Sequence, residues 1–255
     1  MKIKRLGHDL TPPILWKLLA NYKNSIFLTA HKTLGIKQIT EPTGLDLLNR
    51  SNNKHKIIYL HLHKCAGTSI RKTLQRYPDF VCCVARPGNF PSRLSRDYID
   101  DSIWNNSFKF TFVRNPYSRV VSVYKMFRNY NFRGSGFENF EEFIDFIRWC
   151  DVDSHHVDHE VPLTSFSGRI ENIIHHCSSF HNPKYRIDEL DFIGRVETIN
   201  EDMKYVAEKL GVEEVNLPFL NSSKGSNYRE YYSDKTRKII AQKYHQDIER
   251  FEYKF

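Results

Sequence analysis

The chain lacks the features that would place it in several common classes. No stretch approaches about 18 uninterrupted apolar residues, the length that marks a membrane-crossing helix. The most apolar early segment, residues 12–30, is broken by Lys17, Asn21, Lys23 and Asn24. Nothing resembles a cleavable secretory segment. Internal repeats and low-complexity tracts are missing too, which argues against solenoids and extended arrays. The five cysteines, Cys65, Cys82, Cys83, Cys150 and Cys177, form an odd set without C-x-x-C spacing. That pattern indicates neither a disulfide framework nor a zinc ribbon, and a reducing compartment is the simpler reading.

Nor is there a broad excess of one charge over the body of the chain. The net charge of +8 is concentrated early: residues 1–56 hold ten Lys/Arg against three Asp/Glu. The remainder is close to balance, so a nucleic-acid-coating surface is not expected. Residues 1–55 read as a basic leader, and residues 56–255 as one domain large enough for a proper core. Ile14, Leu15, Leu18 and Leu19 follow Pro12 and Pro13 at helical spacing. A short amphipathic helix packed on the domain is the favoured reading. The alternative is an interfacial helix, with Trp16 and the lysines at headgroup level, giving peripheral contact with an acidic membrane.

What is present is a series of strand–loop–helix units. Strands are expected at residues 57–62, 80–85, 109–113 and 192–196. Helices are expected at 68–76, from Pro116 to about Asn129, around Phe140–Ile147, from Thr198 to Leu210, and from Ser233 to Phe251. Asn115 should cap the second of these helices, with Pro116 in its first turn. Thr198 and Glu201 have the spacing of a capping box, and Gly211 should close that helix. Residues 88–95 read as a loop. Such a series predicts an α/β domain, an open and mostly parallel sheet flanked by helices, with ligands at the carboxyl ends of its strands.

Two segments carry the chemistry. Residues 57–71, IIYLHLHKCAGTSIR, run from a buried strand through a small, basic loop into a helix. A backbone that curls at Ala66 and Gly67 presents N–H groups of residues 67–70 to an anion. Thr68 and Ser69 add hydroxyls and Lys64 a positive charge. A nucleoside triphosphate loop would need lysine directly after its second glycine. Here Thr68 follows Gly67, and Leu62 stands five residues before it. Residues 110–124, FTFVRNPYSRVVSVY, repeat the strand-to-helix arrangement with Arg114 at the turn. Ser118 and Ser122 follow at steps of four, on one helix face. Arginine suits bidentate recognition of phosphate. Arg119 and Lys125 are expected to point to solvent. Two such segments suggest a ligand with two separated anionic groups.

These residues resemble the membrane-type carbohydrate sulfotransferases, the group of chondroitin and HNK-1 sulfotransferases and their bacterial relatives. HKCAGTS looks like that family's 5′-phosphosulfate loop, and FVRNPYSRVVSVY like its 3′-phosphate segment. DFIGRVET at 191–198, NSSKGSNYREYY at 221–232 and YHQDIERFEYKF at 244–255 extend the match to the C-terminus. The resemblance implies a P-loop-like sulfotransferase fold. It also implies transfer of a sulfuryl group from 3′-phosphoadenosine 5′-phosphosulfate (PAPS) to a carbohydrate hydroxyl, with no metal. Lys64, Ala66, Gly67, Thr68 and Ser69, with Cys65 between them, would hold the 5′-phosphosulfate. Arg114 and Ser122 would hold the 3′-phosphate, and a loop with Ser222, Ser223 and Lys224 would close over the nucleotide.

Sulfuryl transfer requires an in-line acceptor oxygen and a stabilised leaving group. Lys64 is the candidate for the second task. The acceptor hydroxyl needs a general base. His159, in HEVPLTSF, looks like the histidine of the family's HWxPQ segment and is the favoured base, with Glu160 a second candidate. His61 reads as structural and His63 as a residue that could orient the sulfate. Cys65 reads as a packing residue. Cys150, His155, His156 and His159, like His175, His176, Cys177 and His181, have no standard zinc spacing and read as exposed loops. Arg195 and Glu197 either pair or line the cleft. Tyr228, Tyr231 and Tyr232 could stack on a ring or dock a helix. The rival functions are a P-loop kinase or hydrolase and a non-catalytic glycan-binding relative.

Overall fold

A computed structural model describes residues 55–84, 94–95, 99–129, 137–150, 173–213, 215, 217 and 227–255. The leader, the loop region with Ser222, Ser223 and Lys224, and the segment with His155, His156, His159 and Glu160 lie outside the described residues.

Five strands form one sheet: β1 (Ile57–Leu60), β2 (Phe80–Val84), β3 (Leu94–Ser95), β4 (Phe108–Val113) and β5 (Phe192–Arg195). Their order is β3-β2-β1-β4-β5, and every pairing is parallel. The chain steps outward from β1 to β3, then returns to lay β4 on the other side of β1. Ile57 therefore stands between Phe80 and Phe108. That reversal is a topological switch point, and open α/β sheets bind ligands outside the carboxyl ends of the strands that flank one.

Strands buried on both faces need apolar side chains throughout, and Ile58, Tyr59, Leu60, Phe110 and Phe112 meet that need. The buried Thr111 donates its hydroxyl to the Leu60 carbonyl at 2.7 Å, tying β4 to β1. Helices α1 (Gly67–Leu74), α2 (Asp101–Asn106), α3 (Pro116–Asn129), α4 (Phe140–Trp149), α5 (Ile199–Leu210), α6 (Asp234–Lys243) and α7 (His245–Arg250) lie among the described residues. One apolar cluster surrounds the sheet. A second joins α3, α4 and α6 through Val120, Tyr124, Phe143, Ile144 and Ile240.

Several local expectations are revised. Residues 94–95 form the edge strand rather than loop. Helix α2 was not anticipated; Asp100 caps it by accepting the Ser102 N–H at 2.7 Å. Thr198 makes no capping bond, because a 3₁₀ turn at Val196–Thr198 precedes α5. Its hydroxyl instead donates to Asp202 at 2.8 Å. Gly211 does close α5, with φ +68°. The expected last helix is two, interrupted at Tyr244 (φ −114°, ψ 29°). A true capping box stands at Ser233 and Thr236.

Candidate anion-binding site

After β1 the backbone turns sharply, with the Leu62 N–H donating to the Leu60 carbonyl at 3.1 Å. Lys64 (φ 63°) and Ala66 (φ 59°) then adopt left-handed conformations. Non-glycine residues hold that region at a cost of order 1–3 kcal/mol each, and such strain gathers at ligand clamps. Alternating backbone of this kind turns successive N–H groups into one concavity, a nest suited to an anion. The Ala66 carbonyl takes the N–H groups of Ser69 (3.0 Å) and Ile70 (3.2 Å). Those two donors face into the helix, so the outward set expected at residues 67–70 is reduced to its first members. Gly67 is needed for packing rather than for a special φ: a Cβ there would fall inside the His61 ring. His61 is thus structural, buried beneath the start of α1.

Cys65 is completely buried, and burial pushes its thiol up to about 12. Its Sγ–H donates to the His63 carbonyl at 3.4 Å. It is a packed thiol, and any contact with a ligand would be through its backbone.

At the end of β4, Arg114 reaches back toward the loop. Its Nε donates to Ser118 Oγ at 2.9 Å and its Nη1 to the Lys64 carbonyl at 3.4 Å. The two segments, fifty residues apart, meet through this contact. Burial lowers the pKa of Lys64, and the neighbouring Arg114 lowers it further while Cys65 works the other way. Burial lowers that of Arg114 as well, against the opposing influence of Cys65 and Glu197. Two cations withdrawn from water beside each other are stabilised when an anion arrives. Ser122, one turn beyond Ser118, and Thr68 are half-buried, whereas Ser69 is buried.

Supports missed in the sequence reading come from the distal segments. Glu197 accepts the Asn115 N–H at 2.8 Å and the Tyr253 hydroxyl at 3.2 Å. Asn115 caps α3 as expected, accepting the Tyr117 N–H at 3.0 Å, and its amide donates to the Lys254 carbonyl at 2.8 Å. The start of α3 is therefore clamped by both the β5 end and the C-terminal segment. Arg195 does not add to the clamp through a carboxylate; its guanidinium sits 5.1 Å from the Tyr253 ring centre. The resemblance of DFIGRVET and the terminal segment to the family's distal segments was the available signal.

Arg119 corrects the sequence reading. It is 1% exposed, donates from Nη2 to the Ser178 carbonyl at 2.7 Å, and lies 4.2 Å from the Phe180 ring centre and 5.3 Å from that of Tyr244. Burial opposes its charge, yet Tyr244, Cys65 and Asp247 together hold its pKa above the ordinary value. Asp247, fully buried, accepts from the Phe180 N–H at 3.0 Å and the Ser179 hydroxyl at 3.1 Å, with His181 Nδ1 2.7 Å away. The segment around Cys177 is consequently a packed connector, not an exposed loop. Lys125 stands 4.9 Å from the Tyr231 ring centre. Tyr231 and Tyr232 dock helices, packing on Phe140, and Tyr232 donates to the Tyr117 carbonyl at 2.9 Å.

The same connector brings His175 and His176 to the loop, which the sequence reading did not foresee. The His63 ring centre is 4.4 Å from that of His175 and 4.1 Å from that of His176. Among the described residues, no group of three or more His, Cys, Asp or Glu side chains is arranged to hold a metal ion. No described helix is long and apolar enough to cross a membrane.

The model of the sulfotransferase family matches residues 50–254. The chain belongs to the sulfotransferase family. No curated protein and no solved structure matches it. At the carboxyl ends of β1 and β4, Lys64, Arg114 and the backbone nest form one cationic junction, and sulfuryl donors are anionic. The arrangement needs no covalent intermediate at Cys65.

Proposed function

We propose that the protein transfers the sulfuryl group of PAPS to a hydroxyl of a carbohydrate, as part of a polysaccharide or glycolipid. The observation that carries this reading is the junction of Arg114 with the Lys64 loop at the sheet's switch point. One ligand with two anionic ends fits a site whose two cations stand on adjacent strand ends. The backbone N–H groups before Ser69, with Lys64 and Thr68, would hold the 5′-phosphosulfate. Arg114, oriented by Ser118, and Ser122 would hold the 3′-phosphate, with Ser222, Ser223 and Lys224 closing the nucleotide side.

When bound, PAPS supplies the sulfuryl group and a phosphate leaving group. Lys64 stabilises the charge that develops as the sulfur–oxygen bond breaks. Burial, and then the neighbouring Arg114, lower its pKa before the donor arrives, so the ammonium gains most where negative charge accumulates. Asn115 and Glu197 keep the start of α3 in place, which fixes the spacing of the two phosphate sites. The acceptor proton requires a base, for which His159 is the candidate read from sequence. The charge of residues 1–56 gives a cytoplasmic enzyme a means to meet acidic lipid or polysaccharide.

Incubation with sulfur-labelled PAPS and a glycan panel, beside Lys64→Ala, tests the reading. Label should enter a glycan without magnesium, and Lys64→Ala should abolish the transfer while leaving the protein folded. Magnesium-dependent turnover of ATP, with no affinity for the desulfated nucleotide, would favour a kinase or hydrolase instead.

A further inference from the structure

The imidazoles of His63, His175 and His176 form a cluster whose centre is His63. Its ring lies 4.4 Å from that of His175 and 4.1 Å from that of His176, while those two rings are 6.2 Å apart. His63 directly precedes Lys64, the residue assigned to the departing charge, and is half-buried at the mouth of the loop. His176 also packs edge-on against Phe127 of α3 at 5.6 Å. The segment bearing both partner histidines is pinned at Cys177 by the Tyr244 hydroxyl, at Ser178 by Arg119 and at Phe180 by Asp247. A mobile loop could not hold His63 in one orientation, but a segment anchored in the core can.

We propose that His63, rather than His159, accepts the proton of the acceptor hydroxyl, and that His175 and His176 are positioning residues that fix its ring. This rests on the sulfuryl-transfer reading. Imidazole is the side chain suited to taking a proton near neutral pH, and His63 supplies one from the residue directly before Lys64. As the acceptor oxygen bonds to sulfur, its proton passes to the unprotonated nitrogen of His63. The sulfur–oxygen bond to the nucleotide breaks, its electron pair leaving with the phosphate. The proton departs from His63 to water as products leave.

The test compares His63→Ala, His175→Asn, His176→Asn and His159→Ala with the wild type in three readouts. Calorimetry with adenosine 3′,5′-bisphosphate measures donor-site integrity. Transfer of labelled sulfate, to glycan or to water, measures turnover, with and without added free imidazole. Ring spectra of isotope-labelled histidine report the cluster itself. His63→Ala should lower kcat by about 100- to 10,000-fold, keep nucleotide affinity within about twofold, and regain turnover in imidazole. His175→Asn and His176→Asn should each lower kcat by about tenfold with the donor KM unchanged, as loss of precise placement does. Turnover in His63→Ala close to wild type, a loss there that imidazole does not relieve, or rescue at His159→Ala alone would overturn the assignment. Ring signals of His175 and His176 that do not respond to His63→Ala would overturn the cluster. A wild type with no nucleotide affinity is a separate outcome: it removes the sulfuryl-transfer reading beneath.

Discussion

Arg114 and Arg119 belong to one strand-to-helix segment, and the contrast between their surroundings separates binding from folding. Arg119 is enclosed by the Ser178 carbonyl, two aromatic faces and the field of a buried carboxylate. Its charge is held by that carbonyl and that field, while its buried Nε has no hydrogen-bond partner among the described residues. Arg114 has a hydroxyl and a carbonyl as its direct partners, with Lys64 beside it. Glu197, a carboxylate whose field reaches Arg114, also takes the Asn115 N–H and the Tyr253 hydroxyl. Charge left under-compensated inside a crevice is what an anionic ligand can use. The same side chain is structural where the fold neutralises it and, under the proposed function, ligand-binding where the fold holds back.

The contrast breaks first at Arg119. Arg119→Met should destabilise the protein by about 3–5 kcal/mol, the usual consequence of removing one member of a buried charged network, read by urea unfolding. A loss below about 1 kcal/mol would place Arg119 among residues that the fold does not need. Gly67→Ala comes next, since the new methyl group would collide with His61. Overpacking there should cost about 1–3 kcal/mol and weaken nucleotide binding together with stability, in thermal melts followed by calorimetry. Ser118→Ala releases Nε of Arg114 and touches nothing in the Arg119 network. It should weaken nucleotide binding by roughly 1 kcal/mol, the worth of one hydrogen bond, with the unfolding midpoint unchanged.

The last effect is on pH dependence, and its sign follows from Lys64. Its pKa in the free protein is below the ordinary lysine value, and an anion binds its protonated form and raises that pKa. Nucleotide affinity should therefore fall as pH rises through the lowered value, by at most about tenfold per pH unit for a single proton. Calorimetry at alkaline pH in two buffers of different ionisation enthalpy should show proton uptake on binding. Proton release would contradict the sign.

Much of this was legible in the sequence because it is local. A strand buried on both faces, a glycine turn and an asparagine before Pro116 announce themselves within a few residues, and both strand-to-helix turns were legible that way. Arg119 was misread because its partners, Ser178 and Asp247, are distant in the chain, and helical spacing alone does not reveal an arginine stacked on Phe180. The approach of His175 and His176 to His63 escaped for the same reason: two histidines in an unremarkable polar stretch give no sign of which loop they will meet. Thr198 had the spacing of a capping box, but Asp202 competes for its hydroxyl and a 3₁₀ turn replaces the cap.

The most direct test of the account is a binding cycle between one residue and one phosphate. The affinities of adenosine 3′,5′-bisphosphate and adenosine 5′-phosphate are measured for wild type and Arg114→Ala. The wild type should prefer the bisphosphate by about 10- to 100-fold, the worth of a charge-assisted contact, and Arg114→Ala should erase that preference while leaving the monophosphate affinity nearly as it was. A preference that survives the substitution intact would contradict the claim that Arg114 grips the second anionic group.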